Sequence, residues 1–334
     1  MNSLQKKRHL GSYYTKGNPF LHVAFRDWFS QIADSHPILE PFAGDGQICK
    51  LLQEAGYSRN WVQYDIDESL KNVIHKDTLK EFPKNFYVVL TNPPYLSYHF
   101  AKRKKLAIDK KAFGGFPSLY LKAIALALDN SEFVGMIIPE SFVTSGFFAR
   151  RLQAVISLPY QMFDDTDMPT CLALWGPDSN SFEYKLWRGD EYLGKYTELA
   201  NVLANTPCSE RIRFNVLDGE VGLRAIDDTF GPSIEFCLPN LIDDKKIKHS
   251  ARLVSKISIA DLKLTSELLA ESNLILNNWR TQTEDVLLTA FKGYRKDGKF
   301  RRRLDFANAR AILSNALCKV ENHSHNSFES IPLF

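Results

Sequence analysis

Asn92-Pro93-Pro94-Tyr95 joins an amide, a conformationally fixed backbone carbonyl and an aromatic face in four consecutive positions. It directly follows Phe86-Tyr87-Val88-Val89-Leu90, an apolar run that reads as a buried strand and is stopped by the two prolines. Open α/β sheets bind ligands beyond the carboxyl ends of their strands, so the tetrad falls where chemistry is expected. Carboxylates recur at comparable places upstream. Ile38-Leu39-Glu40-Pro41-Phe42-Ala43-Gly44-Asp45-Gly46 reads as a strand entering a glycine turn, and Gln47 to Leu52 opens an amphipathic helix. The turn is not Gly-x-Gly-x-x-Gly and has no basic residue for a pyrophosphate. Glu40 and Asp45 frame it instead, which suits a cationic ligand. Trp61-Val62-Gln63-Tyr64-Asp65 ends in an acid about 20 residues past the turn, where a carboxylate can take ribose hydroxyls. Val73-Ile74-His75-Lys76-Asp77-Thr78 reads as a third strand ending in an acid.

These residues require a scaffold of alternating strands and helices. From Ile38 to Leu90 the pattern is strand, helix, strand, helix, strand, which predicts a parallel sheet with right-handed crossovers. Asn18-Pro19 predicts a helix start, followed by an apolar stripe of Leu21, Ala24, Phe25, Trp28 and Ile32. Further on, helices are expected over Ser118–Leu128 and near Phe147–Ile156. Strands are expected over Phe133–Ile138, Pro159–Phe163 and Cys171–Trp175. After Pro177 the alternation fades into shorter strand-like runs, such as Ile212–Val216. A boundary between 177 and 205 follows, giving domains of 1–190 and 191–334 with a polar, frayed tail beyond Leu317.

A chain of 334 residues with 44% hydrophobic content can bury the core of about two domains. No apolar run is long enough to span a membrane, and the basic N-terminus lacks the apolar core of a secretory signal. The five cysteines are scattered without a Cys-x-x-Cys pair, and the histidines are scattered too. This pattern fits a reducing, cytoplasmic location and offers neither a zinc site nor a disulfide framework. The net charge of +3 is too small to identify a polyanionic partner, so the distribution of charge has to be considered.

Gly11-Ser12-Tyr13-Tyr14-Thr15-Lys16, the Glu40–Gly46 loop, Asp65, Asp77 and Asn92-Pro93-Pro94-Tyr95 occur in that order. The series resembles the gamma-class DNA adenine methyltransferases of restriction–modification systems. The resemblance covers about the first half of the chain; Lys16 departs from it, standing where the family usually has proline. It implies a Rossmann-like S-adenosylmethionine-dependent methyltransferase sheet followed by a C-terminal target-recognition domain. It also implies that S-adenosylmethionine is bound by Glu40 (ammonium), Asp65 (ribose) and Asp77 (adenine). Phe42, Ala43, Gly44, Thr78 and Asn92 would lie in that site, and Tyr14 and Thr15 would close over the methionine end.

The same resemblance makes the exocyclic amine of a flipped adenine the methyl acceptor. Asn92 and Pro93 would accept its two N–H bonds. Pro94 would complete the rigid tetrad, Tyr95 would stack on the ring, and Phe163 would hold the other side. Two basic sets would meet double-stranded DNA: Lys102, Arg103, Lys104 and Lys105 beside the tetrad, and Lys299, Arg301, Arg302 and Arg303 farther on. A cognate restriction endonuclease is the implied functional partner. Other amine or amide acceptors remain open, namely cytosine, an RNA base or a protein glutamine. A non-catalytic DNA-binding subunit is the alternative of another class.

Overall fold

The computed structural model describes residues 17–162, 168–177, 182–204, 208–247, 253–262 and 265–328, with side chains through Asn322 except at 246. The chain divides into two compact units. The first holds the described residues from Gly17 to Pro139 and from Arg150 to Phe182; the second holds 140–149 and the described residues from Glu183 onward.

In the first unit, α1 is Val23–Phe29, β1 Ile38–Glu40, α2 Gln47–Glu54, β2 Trp61–Asp65, β3 Ile74–His75 and β4 Val88–Thr91. They are followed by α3 Tyr98–Arg103, α4 Leu119–Asn130, β5 Phe133–Pro139, β6 Leu152–Ser157 and β7 Thr170–Trp175. The strands align in the order β3-β2-β1-β4-β5-β7-β6. The first five are parallel, while β7 runs antiparallel to both β5 and β6. This is the expected Rossmann-like α/β sheet, with its order reversing between β1 and β4. Val88, Val89 and Leu90, and every residue of β5 and β7, are buried, as strands covered on both faces require. The Trp28 indole N–H donates to the Trp175 carbonyl at 2.8 Å, fastening α1 to β7.

Several local expectations are overturned. No helix joins β2 to β3: Asp65 Oδ1 accepts the Asp67 N–H and Asp67 Oδ1 accepts the Ser69 N–H, each at 2.9 Å. These short side-chain bonds stabilise turns in competition with a helix. The predicted helix near Phe147–Ile156 is a bend leading into β6. Phe148 and Arg151 have φ of 54° and 69°, incompatible with a right-handed helix. Arg151 is held there by bonds to the carbonyls of Gly176, Leu128, Ser131 and Glu132. Residues 159–162 form no strand. Leu21, expected in the buried stripe, is 63% exposed because a 3-10 turn over Pro19–Leu21 precedes α1 and changes the phase.

The second unit is antiparallel where it is stranded. β8 Lys185–Arg188 and β9 Glu191–Lys195 form a hairpin, followed by α5 Tyr196–Asn201. β10 Ile212–Phe214, β11 Val221–Arg224, β12 Glu235–Cys237 and β13 Val254–Ile259 make a sheet ordered β10-β13-β11-β12. α6 Thr265–Thr283 packs on α7 Phe306–Phe328, and a hairpin of β14 Thr289–Tyr294 and β15 Phe300–Arg303 lies between them in sequence. Residues 318–328, expected to belong to a frayed tail, are helical, since α7 continues to Phe328. The cysteines described are free thiols, and the fold brings Cys208 Sγ within 3.3 Å of Cys318 Sγ, 110 residues apart. Among the described residues no helix is long and apolar enough to cross a membrane.

Candidate active site

The carboxyl ends of four adjacent strands supply the site. Glu40 ends β1 and pairs in register with Gln63 of β2. Asp65 ends β2 opposite His75 of β3, and Asp77 follows two residues later. Thr91 ends β4, so Asn92 is the first residue beyond it. The reversal of strand order puts the Glu40 turn and the Asn92 tetrad on either side of the β1/β4 crevice, where open sheets bind ligands.

The turn after β1 is fastened from three directions. The Ala43 N–H donates to the Tyr64 carbonyl at 2.9 Å, and the Gly44 N–H to Asp65 Oδ2 at 2.8 Å. The buried Thr78 hydroxyl donates to the Pro41 carbonyl at 2.8 Å, so it serves as a tie within the fold. Gly44 and Gly46 have φ of 52° and 76°, a region that favours glycine, and Gly46 opens α2 from that conformation. Phe42 is half-buried at the turn and Ala43 is buried. Asp77 is half-buried and pairs with Lys80 at 2.9 Å.

Glu40 is 0% exposed. Its Oε2 accepts from Gln63 Nε2 at 2.7 Å, while Oε1 is buried without a hydrogen-bond partner. Burial pushes its pKa up to about 8; the Gln63 bond opposes the rise, and the charges of Asp45 and Asp65 add to it. Oε1 is thus the oxygen left to carry the proton in the free protein. Asn92 Oδ1 and Thr91 Oγ1 are also buried without partners. Such groups cost about 1–3 kcal/mol each unless something meets them, and three at two adjacent strand ends need an explanation. A ligand rich in N–H donors and carrying positive charge would satisfy them.

Pro93 is buried and Pro94 exposed. The Tyr95 hydroxyl donates to the Ile137 carbonyl of β5 at 3.0 Å, and its ring meets Tyr120 edge-on at 6.5 Å. The tetrad is therefore anchored to the neighbouring strand through its last residue. Beyond it, the expected basic loop is partly helical: Ser97 caps α3, which contains Lys102 and Arg103. Lys102, Arg103, Lys104 and Lys105, with Lys110 and Lys111, are all exposed, and no carboxylate among the described residues pairs with them. Arg103 and Lys110 lie over the rings of Phe100 and Tyr98 at 5.5 and 5.9 Å.

Tyr14, Thr15 and Phe163 lie outside the described residues. In the second basic set, one expectation is overturned. Arg302 is 1% exposed and paired with Glu140, so it cannot meet a phosphate. The two-residue period of β15 turns Phe300 and Arg302 inward. Arg301 is half-buried, donates from Nε to the Asp227 carbonyl at 2.7 Å and covers Phe291. Lys299 is exposed but paired with Glu284 at 3.1 Å, and Arg303 is half-buried. Sequence reasoning missed Gln63 as the partner of Glu40. Its signal was a polar residue amid the β2 run, one position from the centre of the strand's register with β1.

No protein-family model and no curated protein sequence matches the chain. Among solved structures, similarity is found to a candidate modification subunit of a type I restriction enzyme from Vibrio vulnificus. That match has 13% identity and TM-score 0.37, covering 55% of this chain and 49% of that one. A type I restriction–modification methyltransferase subunit from Streptococcus thermophilus matches at 19% identity and TM-score 0.37, covering 51% and 46%. A candidate class I S-adenosylmethionine-dependent methyltransferase from Listeria monocytogenes matches at 16% identity and TM-score 0.37, covering 56% and 70%. The matches span about half the length of the first two proteins. At this level the likenesses carry no argument about activity.

Proposed function

We propose that the chain is a site-specific DNA methyltransferase that methylates the exocyclic amine of adenine in duplex DNA, using S-adenosylmethionine. The observation that carries this reading is the buried, unpartnered Asn92 Oδ1 at the end of β4, beside the crevice that Glu40 lines from β1. The residues fit the cofactor. The unpartnered Glu40 Oε1 suits an ammonium group, Asp65 at the end of β2 suits ribose hydroxyls, and Asp77 beyond β3 suits an adenine amine. Bound there, S-adenosylmethionine supplies a methyl group carried on a sulfonium.

The chain's own contribution is orientation. An adenine amine is a weak nucleophile because its lone pair is delocalised into the ring. Asn92 Oδ1 and the Pro93 carbonyl accept its two N–H bonds and favour a pyramidal nitrogen whose lone pair is free to react. Holding the reacting groups in line can account for much of the acceleration. Tyr95 offers its ring to the extruded base from a fixed position, because its hydroxyl is bonded to β5. The unpaired cations from Lys102 to Lys111 suit the phosphates flanking that base. The biological role that follows is protection of DNA from a restriction endonuclease of the same specificity.

Expression of the full chain in a methylation-free host, followed by single-molecule sequencing, tests the whole reading. The expected result is N6-methyladenine at one recurring sequence, absent with Asn92→Ala. Unmodified DNA from a host making folded, cofactor-binding protein would overturn it. Methylation of cytosine, RNA or a protein glutamine would replace the acceptor.

A further inference from the structure

With Arg302 buried and Lys299 paired, the second unit presents charge and apolar surface together at another place. Phe230 is 68% exposed, at the tip of the turn between β11 and β12. Lys296, at the tip of the β14–β15 hairpin, lies with its ammonium 4.1 Å from the centre of the Phe230 ring. The two tips are one body: the Lys296 N–H donates to the Thr229 carbonyl at 2.8 Å.

This knob is rigid for reasons visible beneath it. Asp228 Oδ1 accepts the N–H groups of Phe230 and Gly231 at 2.7 and 3.1 Å, and the Asp228 N–H donates to Ser233 Oγ at 2.6 Å. Under the turn, the buried Asp227 carboxylate binds Arg280 and Arg295, each at 3.0 Å, and accepts the Ser233 N–H at 2.9 Å. Arg295 also pairs with Asp297 at 2.8 Å, next to Lys296 in the hairpin tip. The acids of the knob are therefore engaged by inward N–H groups and guanidinium groups, and Lys296 makes no ion pair among the described residues.

We propose that the Phe230–Lys296 knob is a contact of the second unit with duplex DNA, Phe230 packing against an exposed or partly unstacked base and Lys296 meeting the adjacent phosphate. It rests on the reading that the chain acts on DNA. A flat ring beside an ammonium fits nucleic acid in both respects. Apolar wedges enter or lean on base steps, and a cation is required within a few ångströms for the backbone.

The test uses the full chain and sheared, unmethylated plasmid DNA, with affinity measured across a salt series. Calorimetric binding of S-adenosylmethionine to each variant reports that the first unit is intact. Phe230→Ala should weaken DNA binding about tenfold with the salt slope unchanged. Phe230→Tyr, which keeps a ring, should remain close to wild type. Lys296→Gln should flatten the slope of log affinity against log salt by about 0.9. Wild-type affinity and slope in both Phe230→Ala and Lys296→Gln would overturn the knob while leaving the methyltransferase reading in place. Failure of the wild-type chain to bind DNA, with cofactor binding intact, would overturn that reading and the knob with it.

Discussion

Asn92 and Glu40 each hold an oxygen that the fold buries without a partner, and the two oxygens have different consequences. Asn92 faces the acceptor in the proposed reaction, so Asn92→Ala should abolish methyl transfer and leave cofactor affinity within a few-fold. Single-turnover transfer and calorimetry on one preparation check this, and near-normal turnover would remove Asn92 from the mechanism. Glu40 has a carboxyl whose ordinary value of 4.5 is pushed to about 8, chiefly by burial. The native state then retains a proton that the unfolded chain releases, so stability falls as pH rises through the window from about 4.5 to about 8. Cofactor affinity should move the other way, rising toward pH 8 as the carboxylate that takes an ammonium forms. Glu40→Gln removes both dependences. It should unfold at a higher temperature than wild type at pH 8 and bind S-adenosylmethionine weakly and without pH dependence. Parallel melting curves for the two proteins from about pH 5 to pH 8 would show that Glu40 does not titrate in this window.

At the scale of elements, the site depends on how strand ends are tied to their neighbours. β4 delivers the tetrad, but β5 fixes it through the Tyr95–Ile137 bond, and β2 and the segment after β3 hold the glycine turn through Asp65 and Thr78. Tyr95→Phe removes only the tie. It should cost about 1 kcal/mol of stability and reduce turnover modestly, because the ring stays but is less well placed. Tyr95→Ala removes the ring and should impair capture of the extruded base far more than initial duplex binding. A 2-aminopurine placed at the target position reports extrusion by its brightening. An equal signal from wild type and Tyr95→Ala would eliminate the stacking role.

For the molecule as a whole, the two units use different means of stabilisation. The first is held by a sheet whose central strands β4, β5 and β7 are buried along their length. The second encloses a network of full charges around Asp227, whose carboxylate receives Arg280, Arg295 and the backbone N–H groups of Ser233, Ile234 and Arg302. Burial alone would raise the Asp227 pKa, but the bonds and charges of Arg280 and the other donors outweigh it and hold the group below its ordinary value of 3.8. Its contribution is therefore present above that value and lost as pH falls below it. Asp227→Asn takes from the buried Arg280 and Arg295 the carboxylate they share and leaves them only Asp285 and Asp297 at the margin of the cluster. It should destabilise the protein by about 3–5 kcal/mol at neutral pH and weaken the fall in stability on acidification. Cofactor affinity should stay within a few-fold, since the acids assigned to the cofactor belong to the first unit. Thermal unfolding from about pH 3 to pH 7, with calorimetry at pH 7, checks both parts. Unchanged stability would show that the cluster is not the structural centre of this unit.

The sequence alone determined β1, β4, β5 and β7, whose burial on both faces requires short continuous apolar runs, and the half-buried β2, whose run is interrupted only by Gln63. It also located the acids and the tetrad, because residues that stop such runs must stand at strand ends. The helices expected between the second and third strands and near 147–156 did not form. In the first segment, Asp side-chain bonds to N–H groups two residues on make turns instead, a local competition that apolar periodicity does not register; in the second, the carbonyls that capture Arg151 are a tertiary fact. The run Lys299 to Arg303 shows the same limit from the other side. Composition read it as a cationic surface, whereas strand alternation and a distant acid, Glu140, turned Arg302 into the interior. Likewise, Gln63 and Glu40 lie 23 residues apart, and only the register of β1 against β2 made them partners. Residue type and spacing could specify which groups carry charge. Which of those charges face solvent, a ligand or one another was decided by the fold, because burial and pairing depend on residues far apart in the chain.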